Sequence, residues 1–449
     1  MRLDWPVVET PWLEELSELL RIPSVSADPA HAGDVLAAAA WVRDFLRRGG
    51  GEAEIVDWHG QPLVVGELRA SVAAASAPTV LAYGHFDVQP PAPLDLWETP
   101  PFEPTIVDGS LFARGIADDK GQLYMLLRAA ADLAAEGALP VNVRFACDGE
   151  EEVGGHSIVE FLEQDERGAD AAVVFDSGMV AEEVWAFDVA TRGLVYYHVE
   201  LESGDRDLHS GVYGGAALNG IHALLRTLAA VLPGPAGRLP EPLRVGLVPP
   251  TAGEFADWAT LPAGAGELAA QGATPADARG AEEFYLRTWA EPAVDVNGIE
   301  GGSPHLQKTV LPVKAVANVS IRLAPGQQVE PVAGAFELLL RDATPAGARL
   351  TVQRLSAAPP GLVDPAARAV QLGLDAFEQA LGVRPLLVRS GGTLPIVPAL
   401  AERGIPTIIT GFSLPDANIH SPNERIRMEY VPRGIAAARA LFVAWGGLS

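Results

Sequence analysis

The sequence predicts an α/β protein, a mostly parallel central sheet flanked by helices, interrupted by a smaller α+β domain. Three observations lead there. Short apolar strands alternate with helical stretches over the first 190 residues, the rhythm of βαβ units. Near Thr191 the pattern changes to strands with period-two alternation. After the break Ala357-Ala-Pro-Pro-Gly361 a helix and a buried strand resume. The larger domain is therefore expected in two parts, 1–190 and 357–449, with an insert at 191–356.

The elements follow in order. Residues 10–20 predict a helix, because Leu13, Leu16, Leu19 and Leu20 form one stripe. A second helix is expected over 31–48 and stops at Gly49, Gly50 and Gly51. The apolar run 77–83 reads as a buried strand, 121–136 as a helix stopped by Gly137, and 141–147 as a strand. A helix over 157–163 and a strand over 171–175 continue the alternation. In the insert, Val195, Tyr197, Val199 and Leu201 alternate along 193–203 and predict a half-exposed strand. Helices at 216–232 and 328–341 and strands at 314–323 and 348–355 complete a small α+β module. The segment 233–280, rich in Pro, Gly and Ala, carries no clear period. A helix over 365–381 and a strand over 405–410 return to the first pattern.

With 449 residues the chain exceeds one domain of roughly 150 residues. Acidic residues number 58 and basic residues 32, a formal net charge of −26. A field of that sign repels nucleic-acid backbones and anionic lipid, so neither is expected as a partner. No run approaches the roughly 18 apolar residues of a membrane span. The beginning Met1-Arg-Leu-Asp-Trp-Pro lacks a secretory pattern, and the single cysteine, Cys147, fits a reducing compartment. A cytoplasmic protein is expected.

Chemistry concentrates where predicted strands end. The first strand runs into His85-Phe-Asp87, the next into Asp148-Gly-Glu-Glu-Glu152, the third into Asp176, and the strand 405–410 leads to His420. The loop Arg114-Gly-Ile-Ala-Asp-Asp-Lys-Gly121 adds Asp118 and Asp119. Ligands of open α/β sheets bind beyond the carboxyl ends of the strands. So many carboxylates at one edge repel unless cations sit among them, and a pair of divalent ions answers that. Each motif alone has a bland reading. His-x-Asp is usually a solvated loop, three glutamates a solvated turn, and Asp118-Asp119 an acidic helix start favoured by the dipole. Their conjunction on one edge carries the argument.

At this point the chain resembles the co-catalytic metallopeptidases that include carnosinases, cytosolic nonspecific dipeptidase, aminoacylases and carboxypeptidase G. The likeness rests on Gly84-His-Phe-Asp-Val-Gln-Pro90, Gly115-Ile-Ala-Asp-Asp-Lys-Gly121, Glu150-Glu-Glu-Val-Gly-Gly155, Asp207-Leu-His-Ser-Gly-Val-Tyr-Gly-Gly215 and His420-Ser-Pro-Asn-Glu424, in that order. Val88-Gln89-Pro90 and the stretch 208–215 point to the dipeptidase branch.

The resemblance implies roles. Asp118 would bridge two divalent ions, zinc first, with manganese or cobalt as alternatives. His85 and Asp176 would complete one site, Glu152 and His420 the other. Glu151 would be the general base, with Glu150 the alternative in a run of three. Asp87 would orient His85. Imidazole and carboxylate suit zinc, and paired ions acidify water. In the insert, His209 alone reads as a surface histidine and Arg322 as a strand cap. The resemblance makes His209 an oxyanion-stabilising residue supplied to a partner subunit, and Arg322 a clamp on the substrate's terminal carboxylate. Thr309 falls in the same pocket. Gly391, Gly392 and Thr393 resemble a substrate loop whose backbone N–H groups meet that carboxylate.

The implied function is a di-metal exopeptidase acting on dipeptides or short peptides, in a zinc-exopeptidase-like catalytic domain with a lid and dimerisation insert. A deacylase of N-acyl amino acids is the neighbouring alternative, and a non-catalytic metal- or peptide-binding scaffold the remote one. A homodimer through the insert is expected, because the strand 195–201 could lie at an open sheet edge. The Asp118–Asp119 peptide bond is expected to be cis.

Overall fold

The computed structural model describes residues 11–72 and 76–448. The expected helix start at Thr10 and the beginning Met1-Arg-Leu-Asp-Trp-Pro lie outside them. The described chain forms two compact units. The first takes in the chain up to Val189, Val363–Val388 and the chain from Pro395 onward; the second is Ala190–Leu362 with Arg389–Leu394. The insert was expected to end at 356. It runs on to Leu362, and the short loop Arg389–Leu394 joins the same unit.

The first unit is built on a six-stranded sheet in the order Glu52–Trp58, Gln61–Leu68, Asn142–Asp148, Thr79–His85, Ala171–Phe175, Thr407–Thr410. The last four are mutually parallel, and the first two form an antiparallel hairpin at one edge. The hairpin was not anticipated, although His59 and Gly60 mark its tip. Both adopt positive φ, 54° and 87°, as a tight two-residue connection requires. The Asp57 side chain accepts the Gly60 N–H at 2.8 Å. The parallel strands are apolar on both faces because helices cover both. Ala171–Phe175 is buried at every position.

Helix Lys120–Ala135 packs on the sheet and on helices Pro11–Leu20 and Tyr430–Trp445. Gly434 permits one of these contacts, since a Cβ there would fall 2.2 Å from the Met125 sulfur. Helix Arg368–Leu381 lies against Tyr430–Trp445 and the strand Thr407–Thr410. Strand Thr79–His85 continues through Gly84 into His85, while Asn142–Asp148 and Ala171–Phe175 end just before the acidic loops. The parallel sheet therefore delivers its functional residues along one edge.

The second unit is a four-stranded antiparallel sheet in the order Ala293–Glu300, Lys314–Leu323, Gly193–Glu202, Arg349–Ala358. Alternation along Gly193–Glu202 buries Val195, Tyr197, Val199 and Leu201 against helices Gly220–Ala229 and Val329–Ala343. Tyr197 stacks on Phe336 with ring centroids 4.8 Å apart. This strand is not at an open edge as expected. It pairs on both sides, and the edges are Ala293–Glu300 and Arg349–Ala358. The unassigned stretch 233–280 folds into a short 3₁₀ turn, Glu241–Arg244, and two helices, Ala252–Trp258 and Gly264–Ala270. The first helix opens with a Thr251–Glu254 capping box.

Candidate metal centre

The first unit gathers seven sequence-predicted residues at one edge of its sheet. His85 ends strand Thr79–His85 and is fully buried. Its Nε2 lies 2.9 Å from Asp118 Oδ1 and 3.7 Å from Asp176 Oδ1. The opposite ring nitrogen, Nδ1, lies 3.1 Å from the Asp87 carbonyl and 3.3 Å from the Asp87 carboxylate. Asp87 also accepts the backbone N–H groups of Glu151 and Glu152, both at 3.2 Å. A single buried carboxylate thus orients one imidazole and fixes the turn that carries two glutamates.

The second oxygen of Asp118 faces elsewhere. His420 Nε2 lies 2.9 Å from Asp118 Oδ2 and 3.0 Å from Glu152 Oε2. His420 is 52% exposed and held at φ 60°, in a loop rather than a strand or helix. Glu152 is steered by Gln89, whose backbone N–H donates to Oε1 at 3.1 Å and whose amide donates to Oε2 at 2.8 Å. Two triads result, His85–Asp118–Asp176 and Asp118–Glu152–His420, each with its donor atoms within 4.8 Å of one another. Each offers one imidazole and two carboxylates, and Asp118 belongs to both. That donor set fits zinc or a similar divalent ion at either position.

The three consecutive glutamates part company. Glu150 accepts the Ser157 N–H at 2.6 Å and so caps helix His156–Gln164. Glu152 joins the second triad. Glu151 opens a single 3₁₀ turn, and its carboxylate has no hydrogen-bond or ion-pair partner among the described residues. Burial pushes that carboxyl well above its usual range; His85 opposes the shift, and Asp176, Asp118 and Glu152 reinforce it. The groups that act on Glu151 are thus members of both triads. Asp176 is raised to about 6 by burial, against the pull of His85. Burial likewise raises Asp118, but hydrogen bonds with His420 and His85 outweigh it and leave the carboxyl below its usual range. His420 is raised to about 10 by its bonds to Asp118 and Glu152.

The bond Asp118–Asp119 is cis. Asp119 Oδ2 accepts the His85 N–H at 3.1 Å. Gly84 makes room for it, because a Cβ there would stand 2.7 Å from the same oxygen.

The remaining predicted residues lie in the second unit, in two groups. His209 sits in the two-residue strand Leu208–His209, paired with Val310–Leu311. Thr309 is its neighbour across that ladder, its carbonyl accepting the Ser210 N–H at 2.9 Å and hydroxyl at 2.8 Å. His209 is exposed, and beside it Val212 and Tyr213 are 68% and 48% exposed. Arg322 Nη1 donates to Thr393 Oγ1 at 2.8 Å. The loop around Gly391 and Gly392 departs from expectation, because the Gly392 N–H is held by Ser390 Oγ at 3.1 Å.

Several partners carried no role in the sequence reading. Arg192 donates from its backbone to Gly392 O and from Nε to Gly391 O, and its carbonyl accepts the Thr393 hydroxyl at 2.7 Å. Burial, then the nearby Arg322, lowers Arg192 to about 10. Arg389 anchors the loop's other end on Glu254 at 2.6 Å. Gln89 and Glu424 stand inside the quoted motifs, where their polarity was a usable signal. Arg192 is a lone charge before an apolar strand and gave none.

The Peptidase family M20/M25/M40 matches residues 81–444. The Beta-Ala-His dipeptidase of Homo sapiens is 27% identical over 447 residues, covering 94% of this chain and 87% of that one. The Cys-Gly metallodipeptidase DUG1 of Saccharomyces cerevisiae is 26% identical, covering 92% and 91%. Among solved structures, human carnosine dipeptidase 1 superposes with a TM-score of 0.79 at 26% identity, covering 97% of this chain and 96% of that one. An M20 family metallo-carboxypeptidase from Sulfolobus solfataricus shares the fold with a TM-score of 0.85 at 23% identity, covering 97% and 99%.

Proposed function

The chain belongs to peptidase family M20/M25/M40 and is a metal-dependent hydrolase of peptide bonds; we propose that it is a dipeptidase-type exopeptidase working with two divalent ions, zinc first. The observation that supports this most is the pair of triads sharing Asp118, with the unpartnered Glu151 carboxylate beside both. His85, Asp118 and Asp176 would hold one ion; Asp118, Glu152 and His420 the other. When bound, such a pair supplies an acidified water and an electrophile for the scissile carbonyl.

The chain's own residues do the rest. Glu151 takes a proton from the attacking water and returns it to the leaving amine. Asp87 holds the His85 ring and the Glu151–Glu152 turn in place. Arg322, braced by Thr393, receives the terminal carboxylate of the substrate with Thr309 and Gly391. His209 acts in a second copy of the chain, in a homodimer formed through the inserted unit. Support for that copy is the exposed group His209, Val212 and Tyr213, not the strand 195–201. The buried free thiol of Cys147 supports a cytoplasmic setting.

The test is a panel of dipeptides, tripeptides and N-acyl amino acids, assayed with zinc, manganese or cobalt restored to stripped protein. Release of the C-terminal residue from dipeptides is expected. Turnover confined to N-acyl amino acids would move the reading to a deacylase, and no metal-dependent turnover would sink it.

A further inference from the structure

We propose that Glu424 is the positioning residue that gives the second triad, Asp118–Glu152–His420, its own metal affinity. The inference rests on the two-ion reading above. Glu424 is fully buried, and its carboxylate accepts four hydrogen bonds, all from one short segment. Arg114 Nη1 donates at 2.6 Å, and the backbone N–H groups of Gly115, Ala117 and Asp118 donate at 3.0, 2.8 and 3.2 Å. Arg114 Nη2 also reaches the Ser421 carbonyl at 3.3 Å. One carboxylate therefore ties the loop that carries His420 to the loop that carries Asp118.

The two triads differ in how they are supported. His85 and Asp176 are fixed by adjacent parallel strands, Thr79–His85 and Ala171–Phe175, whose ladder sets their separation. The second triad has no such frame. Glu152 lies in one 3₁₀ turn, and His420 lies in a loop with Asn418, His420 and Asn423 all at positive φ, between 56° and 65°. Such conformations persist only where surrounding bonds impose them. Strand Arg425–Arg427 pairs with Ser110–Phe112 and the Ala113 N–H donates to the Glu424 carbonyl at 3.2 Å, which brings the two segments together, but this backbone pairing stops short of Asp118. Glu424 carries the registration onward to the Asp118 backbone. Freeing the 420–424 loop changes the His420–Asp118 separation directly, whereas the strand ends keep His85 and Asp176 in place.

The experiment strips the full-length protein, restores zinc and measures binding by calorimetric titration and by elemental analysis after gel filtration. Wild type, Glu424→Gln, Glu424→Asp and His420→Ala are compared, with circular dichroism to confirm folding. Glu424→Asp keeps the buried charge beside Arg114 while withdrawing its reach to Ala117 and Asp118, so it serves if the glutamine variant does not fold. Wild type should take two ions. Either folded Glu424 variant should bind the second ion about 10–100-fold more weakly, the usual effect of removing a residue that orients a ligand. The first ion should change little, and His420→Ala should show the same one-ion pattern. Two ions in wild type with unchanged affinities in the variants, or both ions weakened in parallel, would overturn the role of Glu424 and leave the two-ion reading standing. Fewer than two ions in wild type would overturn the reading itself.

Discussion

Glu150 Oε1 accepts the Ser157 backbone N–H at 2.6 Å, and this bond removes one of three consecutive glutamates from the chemistry. Glu151→Gln should therefore cut kcat by about 10²–10⁴-fold, the range of a lost general base, with zinc content unchanged. Glu150→Ala should retain turnover and lose about 1 kcal/mol of stability, as for a lost helix cap. Normal kcat in Glu151→Gln, measured alongside zinc content, would return the role to Glu150 or Glu152.

The two arginines around the loop Arg389–Leu394 divide their work. Arg322→Met should lower kcat/KM for dipeptides with a free C-terminal carboxylate by about 10–100-fold, the worth of a charge-assisted bond. Peptides amidated at the C-terminus should be cleaved equally poorly by both proteins. Arg192→Met, which leaves Arg322 in place but frees Gly391 O, should give a smaller rise in KM. An equal loss on amidated and free peptides would show that Arg322 does not read the carboxylate.

Mixing two inactive variants tests whether His209 serves a second copy. Under subunit exchange, a dimer of His209→Ala with Glu151→Gln contains one site with an intact base and a histidine from the other chain. With half the dimers mixed and one site in two active, about a quarter of wild-type activity should return. Exchange shown by a mass tag without recovered activity would place His209 in its own subunit or outside the reaction.

Asp188 is buried, donated to by the Ser177 hydroxyl at 2.5 Å, and raised by burial to about 7. In an unfolded chain an aspartate titrates near 4. Between those values the native state holds a proton that the unfolded state has lost, so stability falls as pH rises. The contribution is complete below about pH 4 and gone above about pH 7, with a slope of up to about 1.4 kcal/mol per pH unit. Asp188→Asn should remove that slope, and it should gain on wild type in urea midpoints as pH rises from 4 to 7. Parallel pH profiles for the two proteins would show that Asp188 is ionised in the fold.

Much of this organisation is legible in the chain. Apolar runs such as Ala171–Phe175 announce a strand buried on both faces, and the residues just after them announce chemistry. What was not legible depends on tertiary partners. Alternation along Gly193–Glu202 reports one buried face but says nothing about neighbours within the sheet, so an internal strand was read as an edge. The stretch 233–280 has helices of only seven residues, too short for a period, held by caps and by ion pairs such as Arg389–Glu254. The resemblance ranks Glu151 ahead of Glu150, and the bond from the Ser157 N–H to Glu150 supports that order. Gly392 resembled a donor to substrate until Ser390 Oγ was found on its N–H.

The backbone passes from one compact unit to the other at Val189, Leu362, Val388 and Leu394. That threading sets a timetable for synthesis. The four-stranded sheet of the second unit is complete in sequence at Ala358, yet the loop that meets Arg192 and Arg322 leaves the ribosome only after helix Arg368–Leu381. His420 and Glu424 emerge later still. His85, Asp118 and Asp176 have therefore all been synthesised long before the histidine partner of Glu152. The first triad's residues are all in the chain once Asp176 is made, whereas the second waits for His420, 244 residues later.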